Sequence, residues 1–406
     1  MRPRAAATIT YAVADQAVSS ATNFLAFGLF IRRASLAESG QYAVLLSLLL
    51  LAQLLCRQAV LVPIVAGQQV LDESRVRSLW LCVWKQVVGI AGAGALGIGI
   101  IGASAGLGRL VPIFVAVTVP IVAFEAYRFL LLTTRRTRRA LVLDVVWLSV
   151  VAATIPAAAL GVRGGTAALV AWGIGSSVAL LIGLLSRSPN DVEVSIERSR
   201  PRKRDRGVLV AEALVERGSL SLALLIVSGA VGVGEVGRLE VARQAFAPIN
   251  VVTLGLLPVL FGSLVNSGRQ GNLALTRVFP YIVAIGAMTL GWTAFLLSHY
   301  GDVAGRMFGP LWDTSSALVV PVSVGIACIA VQSTARIVMH AHEQYVASLV
   351  ARTVASLSLV GTAVYVAVVG GSVGLLFSCG LLIGAFVCVA FGVSAVRGRE
   401  PVPRST

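Results

Sequence analysis

Apolar stretches of about 20 residues recur along the whole chain, and one long polar run interrupts them: Arg187 to Arg206, RSPNDVEVSIERSRPRKRDR. A helix that crosses a bilayer needs ~20 mostly apolar residues. The stretches that meet this are 8–30, 41–66, 79–102, 110–132, 141–161, 165–186, 208–231, 242–265, 277–298, 314–336, 347–369 and 372–394. Six precede the polar run and six follow it. The chain therefore reads as an all-α polytopic membrane protein with twelve transmembrane helices in two six-helix lobes. The lobes are 1–186 and 208–396, joined by a basic cytoplasmic linker, 187–207, and followed by a tail, 397–406.

The distribution of basic residues tests that plan. Alternate inter-span segments hold 24 of the 33 Lys and Arg, the others hold 7, and Arg57 and Arg217 lie within spans. Cytoplasmic segments are the ones enriched in Lys and Arg, so both termini and the linker are placed in the cytoplasm. One miscounted span would mix the two sets. Charged residues are 13% of the chain, against about 25% in soluble domains. The formal charge of +15 is thus read as membrane topology, and no nucleic-acid partner is expected.

An internal repeat is visible at a shift of 197 residues. It lays Asp15 on Glu212 and Glu38-x-Gly40 on Glu235-x-Gly237. Six spans per half makes the halves parallel copies related by an axis along the membrane normal.

Motifs for cofactor or metal chemistry fail on context. Gly92-x-Gly94-x-x-Gly97, Gly97-x-Gly99-x-x-Gly102 and Gly232-x-Gly234-x-x-Gly237 match a dinucleotide fingerprint, but that fingerprint needs a strand before it and a βαβ unit around it. Small residues that let helices approach closely explain the first two. His340-x-His342 points to two faces of a helix and suits a cytoplasmic turn. The five cysteines lie in apolar runs without paired spacing. No cofactor, metal or catalytic residue is expected.

Ionisable residues inside spans are costly and face a cavity or a partner. Arg57, Arg128, Arg217, Arg243 and Arg336 are the candidates for binding an anionic substrate. A guanidinium stays charged and forks onto phosphate oxygens. Asp15, Glu125, Glu212 and Glu216 are the candidates for charge balance or cation coupling. Glu125 and Arg128 are spaced to pair on one helix face, as are Glu212 and Glu216 to share one.

The first 66 residues and the twelve-span plan resemble the polysaccharide (O-antigen-type) flippases of the multidrug/oligosaccharidyl-lipid/polysaccharide exporter (MOP) superfamily. The residues concerned are ADQAVSSATNFLAFGLFIRR and LAESGQYAVLLSLLLLAQ. Glu38, Gly40 and Tyr42 fit the family's turn into span 2, while Ser35-Leu36 replace its Gly-Pro. The resemblance implies a MATE/MOP-like pair of lobes around a central cavity and no enzyme activity. It implies an undecaprenyl-diphosphate-linked oligosaccharide moved across the cytoplasmic membrane by alternating access. Membrane lipids, and glycosyltransferases or a polymerase of polysaccharide assembly, are the implied partners. Arginine-rich cavities in that family would match Arg57 and Arg217, and the first-span acid of its drug-exporting relatives would match Asp15. The fourteen spans usual in lipid II flippases argue against that branch.

The rival readings are a cation-coupled exporter of small amphiphiles and a membrane component, enzymatic or not, of polysaccharide assembly. Short outer segments, the longest about residues 299–313, count against the enzyme. A major-facilitator carrier would place its signature at GQQVLDESRVR, Gly67 to Arg77, where the acid is displaced and the second glycine is missing.

Overall fold

The computed structural model describes residues 3–62, 76–134, 136–156, 164–186, 203–249, 275–298, 301–341 and 344–397, and all regular structure among them is helical. The first half holds α1 (Pro3–Ile31), α2 (Leu36–Cys56), α3 (Val76–Ser104), α4 (Leu110–Thr133), α5 (Thr137–Ala152) and α6 (Gly164–Leu185). The second holds α7 (Lys203–Ala230), α8 (Val233–Ala245), α9 (Leu275–Leu297), α10 (Gly301–Phe308), α11 (Leu311–Ser315), α12 (Val319–Ala341), α13 (Tyr345–Val369), α14 (Val373–Leu375) and α15 (Leu381–Arg397). A π turn, Arg57–Leu61, prolongs α2, and another, Leu376–Gly380, joins α14 to α15.

Eleven of the twelve expected spans coincide with helix over most of their length. The eighth begins earlier than expected, at Val233 instead of residue 242, and its part beyond Ile249 lies outside the described residues. VGEVGRLEVARQA carries two i,i+3 ion pairs, Glu235–Arg238 and Glu240–Arg243, both at 2.8 Å. These let a charge-dense stretch be helical. Arg238, expected in an outer loop, therefore stands on α8, and Arg243, expected at the start of the eighth span, lies near the end of α8. The segment 299–313, expected to be the longest outer one, also carries helix, α10 and the start of α11. Seven helices among the described residues are long and apolar enough to cross a membrane. The linker up to residue 202, the Gly67–Arg75 stretch, Asn250 and His342 lie outside the described residues.

Two compact units emerge. One is Met1–Ala213 with Met307–Leu311; the other is Leu214–Arg306 with Trp312–Thr406. The division falls within α7. In unit 1, α1 packs on α5 and α6, and α4 lies against α2, α3 and α6. In unit 2, α12 packs on α9 and α15, and α13 on α15. Glycines set the close contacts. The Cβ that Gly94 lacks would stand 2.6 Å from that of Ala52, and the one Gly102 lacks would meet Val111 at 2.7 Å. Gly92 to Gly102 lie wholly inside α3, with none of the strand–turn–helix that a dinucleotide site needs. The Ser35 hydroxyl accepts from the Glu38 N–H at 3.2 Å and the Glu38 carboxylate accepts from the Ser35 N–H at 2.9 Å, a reciprocal cap that starts α2.

The repeat extends through the structure. The start of α2 at residue 36 and that of α8 at 233 are 197 apart, and the starts of α3 (76) and α9 (275) nearly so. From α4 onward the shift becomes 208. After its first residue, Thr137, which is also buried, the buried stripe of α5 is Ala140, Leu143, Asp144, Trp147 and Val151. Adding 208 to each gives Ser348, Ala351, Arg352, Ala355 and Leu359, all buried on α13. The extra 11 residues (208 less 197) fall in the α10–α11 region, which contains the five residues that join unit 1.

Candidate functional site

Among the described residues, each unit holds a buried charge cluster built from several helices. In unit 1 it centres on Arg128 of α4, which is 6% exposed. Its Nη2 donates to Asp15 Oδ2 of α1 at 2.6 Å and its Nη1 to Glu125 Oε2 at 3.2 Å. Its Nε stands 2.9 Å from Asp144 Oδ2 of α5, close enough for an ion pair although the N–H is not aimed at that oxygen. Asp15 and Asp144 are fully buried, and Asp15 Oδ1 and Asp144 Oδ1 have no hydrogen-bond partner among the described residues. Three carboxylates and one guanidinium give a formal charge of −2.

Aromatic and glycine contacts hold these helices in place. Trp172 Nε1 of α6 donates to Asn23 Oδ1 of α1, and Trp147 Nε1 of α5 donates to the Trp172 carbonyl, both at 2.8 Å. Tyr127 hydroxyl donates to the Gly183 carbonyl at 2.8 Å. Trp147 approaches because Gly175 has no side chain: a Cβ there would stand 2.7 Å from the indole.

In unit 2 the cluster centres on Glu216 of α7. Its Oε2 accepts from Arg336 Nη1 of α12 at 2.5 Å, and its Oε1 lies 3.6 Å from Arg352 Nη2 of α13. Arg217 follows on α7, in electrostatic range of Arg336, Arg352 and Arg243. Arg352, 5% exposed, donates through Nη1 to Gln332 Oε1 at 3.0 Å, and Gln332 Nε2 donates to the Leu381 carbonyl at 3.0 Å. Ser356 Oγ donates to the Val215 carbonyl at 3.0 Å and Ser219 Oγ to Ser356 Oγ at 3.0 Å, tying α7 to α13. Three guanidiniums thus gather around Glu216, with the buried Glu212 one turn earlier on α7.

The other candidates are placed separately. Arg57 is exposed at the start of the π turn, its guanidinium carbon 4.6 Å from the Phe129 ring centroid. Stacking on an aromatic face braces a guanidinium, and π turns inside helices are frequent at functional sites. Arg243 is forked onto Glu240, both bonds at 2.9 Å. Glu212 is buried on α7, one turn before Glu216. Asp144, Gln332 and Arg352 are site residues that sequence reasoning missed. The signal that reveals Asp144 and Arg352 is their place on an i, i+3, i+4, i+7 stripe of otherwise apolar or small buried residues.

The two clusters occupy repeat-related positions. Arg336 lies 208 after Arg128, Arg352 lies 208 after Asp144, and Glu212 lies 197 after Asp15. At the positions 208 apart, the arginine–acid pair Arg128 and Asp144 of unit 1 becomes the arginine–arginine pair Arg336 and Arg352 of unit 2, while Glu212 falls on the unit 1 side of the division in α7.

Neither a family model nor a curated protein sequence matches the chain. Solved structures do. An inward-facing multidrug resistance MATE family transporter of the MOP superfamily matches with TM-score 0.64 at 14% identity, over 96% of this chain and 100% of that one. Lipid II flippase MurJ, in an inward closed conformation, matches with TM-score 0.64 at 14% identity, over 96% and 90%. A MOP superfamily transporter from Pyrococcus furiosus, described as having a binding pocket of reverse polarity that suggests a different function, matches with TM-score 0.67 at 15% identity, over 96% and 94%. Likeness at these identities and over nearly whole chains establishes the architecture: this is an all-helical, multi-pass chain with the fold of the MOP superfamily transporters.

Proposed function

We propose that the chain is a flippase that moves a lipid-linked oligosaccharide, carried on polyprenyl diphosphate, to the outer leaflet of the cytoplasmic membrane for surface polysaccharide export. The observation that carries this reading is the excess of guanidinium over carboxylate around Glu216. Holding that excess in a helical membrane unit is costly, and an anionic ligand offsets it. Arginine forks match phosphate oxygens in pairs. Arg217, Arg336 and Arg352 are the headgroup ligands and Arg243 contributes through its field; Arg57, braced by Phe129 in unit 1, is a separate candidate for substrate contact. Arg128, turned to three carboxylates, is reassigned from substrate binding to charge balance. The carboxylate excess around it suits a proton or monovalent cation, which makes Asp15, Glu125 and Asp144 the coupling group; Glu212 is the repeat counterpart of Asp15. The asymmetry of Lys and Arg keeps both termini cytoplasmic, where glycosyltransferases of the same assembly line would meet the chain.

The test is reconstitution in proteoliposomes with a fluorescent polyprenyl-diphosphate-linked sugar, following its protection from a membrane-impermeant quencher. R57A, R336A and R352A should insert normally and lose transfer. Normal transfer in all three would remove the arginines from the mechanism. A cation-coupled exporter of small amphiphiles is the second reading, favoured by the unit 1 carboxylates. It requires D15N and D144N to stop extrusion of a cationic dye while R336A and R352A leave it intact.

A further inference from the structure

We infer that Glu216 is a built-in stand-in for phosphate, seated between Arg336 and Arg352 until a diphosphate displaces it; this rests on the substrate class proposed above. The carboxylate fills the seat incompletely. One oxygen makes a short bond to Arg336, whereas the other stays 3.6 Å from Arg352, beyond hydrogen-bond range. Arg352 Nε and Nη2 have no hydrogen-bond partner among the described residues, although the residue is 5% exposed. Its third nitrogen, Nη1, is fixed from behind by Gln332, itself fixed by the Leu381 carbonyl. A buried guanidinium is thus held rigidly with two nitrogens unsatisfied, a state that proteins seldom keep without a ligand.

A diphosphate meets that demand better than a carboxylate does. It offers more oxygens over a wider span, so it can bond Arg336 and reach Arg352 at once. It also carries more charge than a carboxylate, against a cluster in which Arg217, Arg336 and Arg352 gather around Glu216. Entry is possible from the rim, because the side chains of Glu216 and Arg336 are 22% and 25% exposed while Arg352 lies deeper at 6%. Displacement would break the ionic tie between α7 and helices α12 and α13. It would leave the Ser219–Ser356–Val215 bonds, which join α7 to α13 among the described residues. Ligand arrival at the seat is thereby converted into freedom of α7. The phosphate can come from a lipid headgroup or from solution, and the chemistry of the seat is the same.

The full-length protein in lipid nanodiscs tests this with two probes, polyprenyl diphosphate in the bilayer and inorganic pyrophosphate in the buffer. Binding is read by equilibrium titration and α7 by hydrogen exchange. E216Q removes the competitor and should bind the probe about ten-fold tighter, as loss of one charge-assisted contact implies. R352Q should bind it correspondingly weaker. E216D keeps the charge on a shorter side chain, guards against misfolding of E216Q, and should also tighten binding. In the wild type, the probe should raise exchange in α7. Tightening for both probes assigns the seat to the phosphate alone, and tightening for the lipid only assigns it to the headgroup of an anchored substrate. Wild-type binding with affinity unchanged or weakened in both Glu216 variants overturns the displacement. Wild type that binds neither probe overturns the flippase reading itself.

Discussion

Removing Arg128 should damage the protein far more than removing any of the carboxylates it binds. The reason is the count of charges in a sealed space. R128M keeps the approximate length and volume of the side chain but leaves Asp15 and Asp144, both fully buried, facing each other without a cation. Deleting one partner of a buried ion pair costs ~3–5 kcal/mol, because the remaining charge is stranded. For a cooperative unit of roughly 200 residues, 1 kcal/mol moves the midpoint by ~2–4 °C, so a fall of ~6–20 °C is expected. The single acid variants behave differently. D15N gives up a 2.6 Å charge-assisted bond but relieves repulsion in a cluster that is formally −2, and the two effects oppose each other. A net change of about 1 kcal/mol or less follows from bonds of that strength. E125Q should be milder still, since the Glu125 side chain is 27% exposed. Neutralising the three buried members, in D15N/R128M/D144N, and leaving the part-exposed Glu125 should restore most of the midpoint lost in R128M. Thermal unfolding of the purified variants in detergent, followed by a thiol-reactive dye on the five free cysteines, reads all five proteins. An R128M midpoint equal to wild type, or a triple variant no better than R128M, would refute the charge-count reasoning.

Two further outcomes concern packing and capping. G325A should cost ~1–3 kcal/mol by overpacking, because its Cβ would lie 2.8 Å from the Phe377 carbonyl at the π turn; G97A, with nothing within 4 Å, should be neutral or stabilising in the same unfolding assay. S35A removes the hydroxyl half of the cap on α2 and should lower stability by ~1 kcal/mol, with increased hydrogen exchange confined to the first turn of that helix.

The helical plan was legible because each span declares itself by local composition. What the sequence could not show is which charges meet. Asp15 and Arg128 are 113 positions apart, and their contact depends on how α1, α4 and α5 pack, which no local pattern encodes. Arg352 lies near the start of the expected span 347–369, where a charge count takes it for a cytoplasmic arginine, yet the small and apolar face it shares with Ser348, Ala351 and Ala355 buries it. Asp144 was passed over inside an apolar run for the converse reason, as one polar residue among many that a span tolerates. The early start of α8 escaped because four charges in 13 residues read as a loop. They pair within the helix itself, which a hydropathy count does not register.

The repeat makes one more consequence testable, because it says that the two clusters share a backbone plan and differ in sign at one matched place, Asp144 against Arg352. R352D would give unit 2 the arginine–acid pairing that Arg128 and Asp144 already bury in unit 1. The new carboxylate would stand near Arg336, with Arg217 in range of both, so no cation is left without a counter-charge. The fold should therefore survive, with a midpoint much nearer wild type than that of R128M, where every remaining charge has one sign. Binding of pyrophosphate should nevertheless be lost, since the seat has exchanged its deepest cation for an anion. Separate measurement of unfolding and binding on the same preparation decides the matter. If R352D unfolds as readily as R128M, matched positions do not imply matched tolerance, and the stripe at 208 residues is a coincidence of helix packing. If it folds and still binds, the phosphate seat lies elsewhere than between Arg336 and Arg352.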